Sequence, residues 1–286
     1  MKLIGIIIRC LAVAAMMRRA GKRKSLTPRG LTAGVITGFI HAIHPWSIFT
    51  ILLFGFFISG TAFTKVKANI KKTITVSPSG EGGGEGPRTE VQVLANSLVA
   101  TILILLHLIF RSSTCFHSDL LAVGVIAQYA AVTADTWSSE LGILSKTRPI
   151  LITSFKSCPP GTNGGVSRFG LTAGLAGGAF IGLLASLFTP FCESWTIISR
   201  VKFIFGVAIL GLAGSIIDSV LGATLQQSVA NEKGLIIEVE GGEKRELDGR
   251  IVSGSNILSN NAVNLLMACI TTALSVVIAN KFYGFR

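Results

Sequence analysis

The segment 203–225 reads FIFGVAILGLAGSIIDSVLGATL and contains a single acidic residue, Asp218. A helix that crosses the hydrocarbon core of a bilayer needs about 20 mostly apolar residues, so this segment is long enough to span a membrane. An ionised side chain within a span costs on the order of 2.5–3.5 kcal/mol on insertion scales and commonly has a function. The segment therefore predicts a membrane protein and makes Asp218 a candidate functional residue.

The composition of the whole chain supports this prediction. Of 286 residues, 50% are apolar and 14% are charged, and the mean hydropathy is +0.64. Soluble domains carry about 25% charged residues, so a disordered chain, a disulfide scaffold and an ordinary soluble enzyme are excluded. We predict an all-α bundle of seven to eight spans that forms a single membrane domain over residues 1–286. The predicted spans are 3–17, 31–44, 46–63, 91–110, 119–144, 168–189, 203–225 and 261–280.

The first three predicted spans leave two alternatives open. The segment 3–17 is short and contains Arg9; a signal-anchor is favoured over a cleaved signal peptide because no small-residue cleavage site precedes the basic run. The second and third spans are separated by HAIHP at His41–Pro45. The proline and the polar histidines predict a tight turn there, and one long kinked helix is the alternative.

The distribution of basic residues predicts the orientation. The net charge is +12, and the basic loops 18–30, 64–90, 145–168 and 226–260 all fall on one side of an eight-span layout. The positive-inside rule places that side in the cytosol. Because no basic stripe lies on a soluble face, no nucleic-acid partner is expected. An endomembrane is favoured over a plastid because no long transit-like region is seen at the N-terminus, and the oligomeric state stays open.

Two loops and the cysteines lead to more local predictions. Ser77–Arg88 (SPSGEGGGEGPR) predicts a flexible cytosolic linker rather than a phosphate cradle, because its glutamates would repel phosphate. Leu235–Leu247 (LIIEVEGGEKREL) alternates around two glycines and predicts a small β-hairpin. The five cysteines are odd in number and include no CxxC pair, which favours buried thiols over a zinc site or a disulfide framework. They are Cys10, Cys115, Cys158, Cys192 and Cys269.

The pentapeptide GLTAG occurs twice, at Gly30–Gly34 and at Gly170–Gly174. In both halves glycines continue at four-residue steps, which places them near one helix face where a second helix can approach closely. The repetition suggests two parallel four-helix halves with a site between them. Chance identity of five common residues is the alternative.

The acidic residues within spans mark candidate chemistry. Asp135 and Glu140 lie in Ala134–Gly142 (ADTWSSELG), and Asp218 is the third. We predict that these three are catalytic and hold a metal; a buried ion pair or an interhelical hydrogen bond is the structural alternative. On an ideal helix five positions separate Asp135 and Glu140 by about 140°. They therefore converge on one ligand only if the helix breaks or a partner helix completes the site.

A glycine-rich loop and an asparagine cluster complete the candidate site. The loop at 156–168 (KSCPPGTNGGVSR) runs into the predicted span 168–189, an arrangement in which backbone N–H groups and a helix N-terminus bind an oxyanion. A plain turn with a glycine cap is the alternative. Asparagines at the start of the last span could bind a phosphate or a metal-bound water, or Asn260 could cap the helix. The predicted substrate-binding residues are Lys156, Gly161, Thr162, Asn163, Gly164, Gly165, Arg168, Asn260, Asn261 and Asn264.

Carboxylates, a glycine loop and basic side chains together are typical of Mg²⁺-assisted phosphoryl transfer, in which carboxylates hold the metal and cations stabilise the transferred group. At a membrane face the acceptor would be a lipid whose head reaches the cytosolic surface. Transport or scrambling of an anionic lipid or metabolite is the alternative, since paired halves and intramembrane acids also suit alternating access. An enzyme using a CDP-linked lipid ranks lower because the DGxxAR-type signature is absent.

At these motifs the chain resembles a known family of integral membrane proteins that includes animal transmembrane protein 19 and the plant and cyanobacterial phytyl-phosphate kinases. The resemblance covers about 25–280, and one segment departs from it, because family members often read PRLIT where this chain has PILIT. It implies an isoprenoid-phosphate kinase that uses CTP or ATP, with Mg²⁺ inferred from the site chemistry, and a prenyl phosphate as acceptor. The motifs that carry it are ADTWSSELG (134–142), PILIT (149–153), GTNGGV (161–166), GLAGSIIDSVLGAT (211–224) and NNAVNL (260–265).

Overall fold

Nine helices form most of the part of the chain that the computed structural model describes, which is residues 2–76, 86–110, 115–116, 118–237 and 249–284. They are α1 Lys2–Lys22, α2 Pro28–Ile43, α3 Ile48–Lys65, α4 Ala68–Lys71, α5 Glu90–Phe110, α6 Leu120–Gly142, α7 Arg168–Phe188, α8 Ile197–Leu225 and α9 Asn260–Tyr283. The chain is therefore a mostly helical membrane protein, as its composition predicts.

The number of spans differs from the prediction. Among the described residues six helices are long and apolar enough to cross a membrane: α3, α5, α6, α7, α8 and α9. The predicted first two spans are helical. However, α2 has only 16 residues, and the apolar run of the continuous helix α1 contains Arg9. A count of seven to eight spans is therefore not confirmed. The predicted turn at His41–Pro45 is confirmed, because α2 ends at Ile43 and α3 begins at Ile48.

Arg9 has a structural role that its position in α1 did not suggest. Its guanidinium donates from Nε to the Ala42 carbonyl oxygen at 3.1 Å and from Nη2 to the His44 carbonyl oxygen at 2.7 Å. The last carbonyls of a helix have no partner within the helix. Arg9 therefore satisfies and electrostatically stabilises the C-terminal end of α2.

Helix α6 is the centre of the bundle and packs on α3, α5, α7, α8 and α9. Small residues allow α6, α7 and α8 to approach closely. A Cβ on Gly211 of α8 would lie 2.8 Å from the Gly178 Cα of α7 and 2.9 Å from the Ala130 carbonyl oxygen of α6. The close packing predicted for the glycines of α7 is therefore confirmed, and it brings the backbones of three helices into contact.

The two copies of GLTAG begin alike but pack differently. Thr27 accepts the Gly30 N–H at the start of α2, and Ser167 accepts the Gly170 N–H at the start of α7. However, α2 packs mainly on α1 and α5, whereas α7 packs mainly on α6 and α8. If the two halves were repeats, α5 in the first half would correspond to α9 in the second. The α2–α5 packing would then require α7 to pack on α9, but α7 packs on α8 instead. The structure therefore does not confirm the repeat.

Short strands cover the end of the bundle that carries the basic loops, which we call the basic-loop end. They are β1 Thr75–Val76, β2 Ile150–Leu151, β3 Gly165–Val166, β4 Ser228–Ala230, β5 Ile236–Ile237 and β6 Arg250–Ser253. Four of them form a sheet in the order β1-β5-β4-β6, in which only β1 and β5 are parallel, and β2 pairs antiparallel with β3. An all-α description misses these strands.

Two predictions fall wholly or partly on residues that the structure does not describe. The predicted hairpin at 235–247 begins in β5, but its turn lies within 238–248, outside the described residues. Strand β5 instead pairs with β4 through a turn in which Asn231 N–H donates to the Leu235 carbonyl oxygen at 2.9 Å. Most of the predicted linker, residues 77–85, also lies outside the described residues.

The opposite end of the bundle, which we call the disulfide end, contains a Cys115–Cys192 bond between the α5–α6 and α7–α8 connections. The prediction that all cysteines are thiols was therefore wrong for this pair. An odd number of cysteines does not prevent pairing between two loops that meet at one end of a bundle. Disulfides persist in oxidising compartments, so this bond supports the orientation predicted from the basic loops.

Candidate active site

Asp135 of α6 and Asp218 of α8 meet at the basic-loop end. Both side chains are half-buried, and the two carboxylates are close enough to repel each other electrostatically. Ser215, one turn before Asp218, lies between the helices and donates to Asp135 Oδ1 at 3.4 Å. The ion pairs formed within the described residues involve other acids, so no lysine or arginine compensates this pair there.

Helix α9 adds a third side chain to the pair. With the Asn264 amide oriented so that its nitrogen faces acceptors, that nitrogen donates to Asp218 Oδ2 at 3.0 Å and to the Asn260 carbonyl oxygen at 3.3 Å. Asn260 itself is exposed, and Gln226 Nε2 donates to its Oδ1 at 3.4 Å. The cap of α9 is Ser259, whose hydroxyl accepts the Ala262 N–H, so capping by Asn260 was a wrong expectation.

Glu140 does not join the other two carboxylates. Its side chain accepts hydrogen bonds from Lys71 and, at 2.8 Å, from the Thr64 hydroxyl. Helix α6 continues unbroken to Gly142, so the angular separation of Asp135 and Glu140 persists. Within the described part of the chain no group of three or more His, Cys, Asp or Glu side chains is arranged to hold a metal, which corrects the expectation of one three-carboxylate site.

The glycine-rich loop is packed more tightly than an anion nest would be. Three of its N–H groups already have protein acceptors: Thr162 N–H donates to Pro159, Gly165 N–H to Thr162 and Asn163 N–H to the Ser228 hydroxyl, at 3.3, 2.9 and 3.0 Å. Binding phosphate at these groups would require breaking those bonds. The N–H groups of the loop are therefore used mainly to build the loop, which corrects the simple nest interpretation.

Gly164 explains why the loop needs glycine. Its φ is +77°, a conformation that side chains disfavour, and a Cβ there would lie 2.5 Å from the Ser219 carbonyl oxygen of α8. Since Ser219 follows Asp218, the loop lies directly against the part of α8 that carries the carboxylate. Lys156 and Arg168, at the two ends of the loop, are exposed. The loop thus packs against α8 at Gly164 and carries exposed cations at its two ends.

The oxygen atoms at the pair fit a magnesium ion. Mg²⁺ prefers oxygen ligands and is commonly held by one or two carboxylates, with substrate phosphates and water completing its coordination. Asp135 and Asp218 supply two carboxylates, and the Ser215 hydroxyl supplies a neutral oxygen. The absence of a third carboxylate in this cluster is compatible with a metal that arrives together with a phosphate ligand.

Arg88, which the sequence marks only as a loop charge, lies at a contact between α3 and α6. A Cβ at Gly60 of α3 would lie 3.5 Å from the Thr136 methyl and 3.6 Å from Arg88 Nη2, so both side chains meet at this glycine. Thr136 follows Asp135 in α6, so the guanidinium lies beside the helix that carries one of the paired acids. The signal in the sequence was the TEVQ capping box directly after Arg88, which predicts a helix start. Thr89 and Gln92 form that box in the structure.

The disulfide end contains a second buried polar cluster, also missed. His44 Nε2 lies 3.0 Å from His107 Nδ1, and His107 Nε2 lies 3.0 Å from Asp119 Oδ2. The Trp46 N–H donates to His44 Nδ1, so His44 carries its proton on Nε2 and donates it to His107. His107 then carries its own proton on the nitrogen that faces Asp119. Asp119 also accepts the Ala122 N–H as the cap of α6.

Comparisons with known proteins identify the family of this chain. The family described as Integral membrane protein DUF92 matches residues 11–272. Protein PGR of Arabidopsis thaliana is 37% identical over 269 residues, 90% of each chain. The membrane protein MJ0933 of Methanocaldococcus jannaschii is 31% identical over 79% of this chain and 85% of its own. The chloroplastic protein VTE6 of Arabidopsis thaliana is 31% identical over 157 residues, 53% of this chain and 46% of its own. No solved structure matches.

Proposed function

The chain belongs to the DUF92 family of integral membrane proteins, and from that premise we propose that it is a membrane-embedded isoprenoid-phosphate kinase. The proposed reaction breaks the terminal phosphoanhydride bond of a nucleoside triphosphate, CTP or ATP. A new P–O bond forms to an oxygen of a prenyl phosphate, and the nucleoside diphosphate leaves. The resemblance of the sequence motifs to the phytyl-phosphate kinases supports the substrate class, and the site geometry supports the chemistry.

The observation that carries the proposal is the contact between Asp135 and Asp218. Two like charges in a low-dielectric bundle destabilise each other unless a cation or a proton compensates them. Such uncompensated acids cluster at functional sites. A transient cation bound with a phosphate would relieve the repulsion, which is what a phosphotransferase requires of its acidic residues.

The roles of the residues follow from their positions. When bound, Mg²⁺ would screen the phosphate charge and orient the transferred group. Asp135 and Asp218 would supply its carboxylate oxygens, and Asn264 would hold Asp218 in place. Arg88 and the exposed Lys156 and Arg168 would neutralise phosphate oxygens. No general base is required, because a prenyl phosphate is already ionised at neutral pH.

The two ends of the molecule suit this function. The site lies at the basic-loop end, which the positive-inside rule assigns to the cytosol, where nucleotides are available. The disulfide end would face an oxidising space, and an endomembrane is the location that we propose. A prenyl phosphate that enters from the cytosolic leaflet would present its head at the basic-loop end while its chain extends towards the middle of the membrane.

The test is a transfer assay on purified protein in nanodiscs with Mg²⁺, γ-labelled CTP or ATP, and phytyl or geranylgeranyl phosphate. We expect label in the prenyl diphosphate, with a loss of at least a hundredfold in Asp135→Asn and Asp218→Asn. The exposed Glu232→Gln is the matched control and should retain full activity. Both aspartate variants should fold, as judged by monodisperse elution.

Two results would overturn the proposal. The first is full transfer activity in both aspartate variants, which would remove the carboxylates from the chemistry. The second is the absence of transfer from either nucleotide combined with nucleotide-independent movement of prenyl phosphate between leaflets. That second result would assign the acids to transport of an anionic lipid.

A further inference from the structure

We infer that a pocket between α1, α2, α3 and α5 binds a single-chain lipid monophosphate, with the chain in the pocket and the phosphate on Arg88. The class of ligand, an isoprenoid monophosphate, rests on the proposed function. The location does not rest on it, because it follows from the pocket and from the charge at its mouth. This places the acceptor in the first half of the bundle, whereas the paired acids lie in the second half.

The pocket, which we call the slot, has mostly apolar walls. About 500 Å³ of space lies between its lining atoms when the part open to solvent is included, and a water-sized sphere fits with its centre in about 40 Å³ of it. A hydrocarbon chain would therefore enter by displacing flexible side chains of the wall. Met17, Gly34, Leu53 and Phe56 are among its walls, and methionine side chains adapt readily to a flexible ligand.

Polar residues lie along one wall of the slot. Arg88, Gln92 and Asn96 all line it from the start of α5, and Ser97 lies more than one helical turn further in than Arg88. Ligand pockets for amphiphiles combine mostly apolar walls with a few convergent polar groups. The order of these residues therefore predicts an anionic head at the level of Arg88 and a chain that extends towards Ser97 and Leu53.

The backbone of Arg88 is fixed, and its side chain is available for a ligand. Arg88 N–H donates to the Ser25 carbonyl oxygen and its own carbonyl accepts the Thr27 N–H, both at 3.0 Å, which joins the start of α5 to the start of α2. The ion pairs within the described residues do not include Arg88. An arginine on a rigid backbone binds phosphate through two parallel hydrogen bonds, which gives both affinity and orientation.

Arg88 also connects the pocket to α6, the helix that carries Asp135. Its guanidinium and the Thr136 methyl share the space beside Gly60, and Thr136 follows Asp135 in α6. A phosphate bound to Arg88 would therefore lie beside α6, at the end of the bundle where the basic loops lie.

The test measures binding without nucleotide, so that it is independent of phosphoryl transfer. Equilibrium binding of radiolabelled geranylgeranyl phosphate to the full chain in nanodiscs is compared with binding of geranylgeraniol and of inorganic phosphate. Arg88→Gln should weaken geranylgeranyl phosphate binding at least tenfold. Arg29→Gln is the matched control, because Arg29 lies at the same end but is exposed and pairs with Glu90 at 3.8 Å.

A second pair of variants fills the slot. Gly34→Leu places its side chain against the Met17 thioether, and its matched control is Gly206→Leu on α8, where a Cβ would have no neighbour within 4 Å. Ser97→Leu is an independent filling variant, since the Ser97 hydroxyl donates to the Val93 carbonyl oxygen of its own helix and bridges to no other helix among the described residues. We expect both filling variants to weaken binding of geranylgeranyl phosphate severalfold and Gly206→Leu to leave it unchanged.

The outcomes separate this inference from the proposed kinase. Unchanged binding in Arg88→Gln and in both filling variants would overturn the pocket, and a kinase could still bind its acceptor elsewhere. Competition by inorganic phosphate as strong as that by the lipid would also overturn the pocket. The hydrocarbon chain of the lipid would then contribute nothing to the affinity. Pocket-dependent binding with no transfer from any nucleotide would support the pocket and overturn the kinase.

Discussion

The two ends of the bundle each bury a cluster of ionisable side chains, but the clusters differ in how they are satisfied. At the disulfide end His44 contacts His107, and His107 Nε2 lies 3.0 Å from Asp119 Oδ2, so the buried acid there faces an imidazole rather than a second acid. At the basic-loop end Asp135 and Asp218 repel each other, and only neutral groups bond to them among the contacts that the structure describes.

This difference separates a structural cluster from a functional one. A buried network in which polar and charged groups face complementary partners makes one arrangement of helices more stable than the others. Two adjacent carboxylates stabilise nothing by themselves, so their retention in a bundle requires a cation or a ligand. The comparison therefore predicts that substitutions at the disulfide end reduce stability, whereas substitutions at the basic-loop end reduce activity while leaving stability unchanged or increased.

The largest effect on stability is expected at Asp119. In Asp119→Ala, the buried His107 ring loses the carboxylate that lies 3.0 Å from its Nε2, and α6 loses its N-cap. Breaking a buried charged contact and a cap together should cost about 3–4 kcal/mol of unfolding free energy. Equilibrium unfolding in detergent by increasing fractions of SDS measures this loss, and Asp119→Asn should recover part of it. A loss below about 1 kcal/mol in Asp119→Ala would remove the structural role of the cluster.

The same cluster predicts acid sensitivity. Burial, followed by the proximity of His107, lowers the pKa of His44 from 6.5 to about 3; Asp119 and Arg9 also face this group. The unfolded chain therefore binds a proton at His44 below pH 6.5, whereas the folded protein does not until about pH 3. Stability from this site is fully present above pH 6.5 and falls as the pH drops towards 3.

Unfolding free energies of the wild type and of His44→Gln between pH 7 and pH 4.5 test this dependence. The wild type should lose more stability across that range than the variant does. If the unfolding free energy depends on pH equally in both proteins, His44 does not contribute to the acid sensitivity. All other titrating groups are common to the wild type and the variant.

The helices could be predicted from the sequence because bilayer thickness and apolar run length determine them directly. The segments around Asp218 and Asn264 were located in this way, and both residues lie in helices that meet Asp135. The HAIHP turn was predicted from its proline. The span count was less certain because α2 is short, so length and composition alone do not decide whether it crosses the bilayer.

Interactions between distant residues could not be predicted. The Cys115–Cys192 bond joins residues 77 positions apart, and the contacts of Arg88 with α2 and α3 depend on how the helices pack. The glycine loop has the N–H groups of a phosphate nest, and its sequence shows that they are present. The sequence does not show that these groups already donate to protein acceptors such as the Ser228 hydroxyl. Glu140 was grouped with Asp135 by sequence proximity, although Lys71 and Thr64 bind it from another side.

The basic-loop end should show a smaller effect on stability, of opposite sign. Asp218→Asn removes one of two repelling charges and should raise the unfolding free energy by about 1 kcal/mol, as is common when a strained functional site is replaced. Millimolar Mg²⁺ with a prenyl phosphate should stabilise the wild type but not this variant. Unfolding in SDS with and without both ligands measures the two effects, and a variant less stable than the wild type would contradict the functional assignment of the pair.

Glu140 lies at the basic-loop end, but its carboxylate has a charged partner, unlike those of Asp135 and Asp218. It therefore tests whether the lack of a charged partner or the location in the bundle identifies a functional acid. Its side chain is 14% exposed and is paired with Lys71, which is 11% exposed. Because Lys71 also donates to the Phe63 carbonyl oxygen at 2.8 Å, Glu140→Gln keeps partners for the ammonium and should cost only about 1 kcal/mol. Its transfer activity should stay within severalfold of the wild type, whereas Asp135→Asn loses at least a hundredfold. Glu140→Gln could instead abolish transfer without loss of stability. In that case the location of an acid at the basic-loop end, and not the lack of a charged partner, would determine whether it is functional.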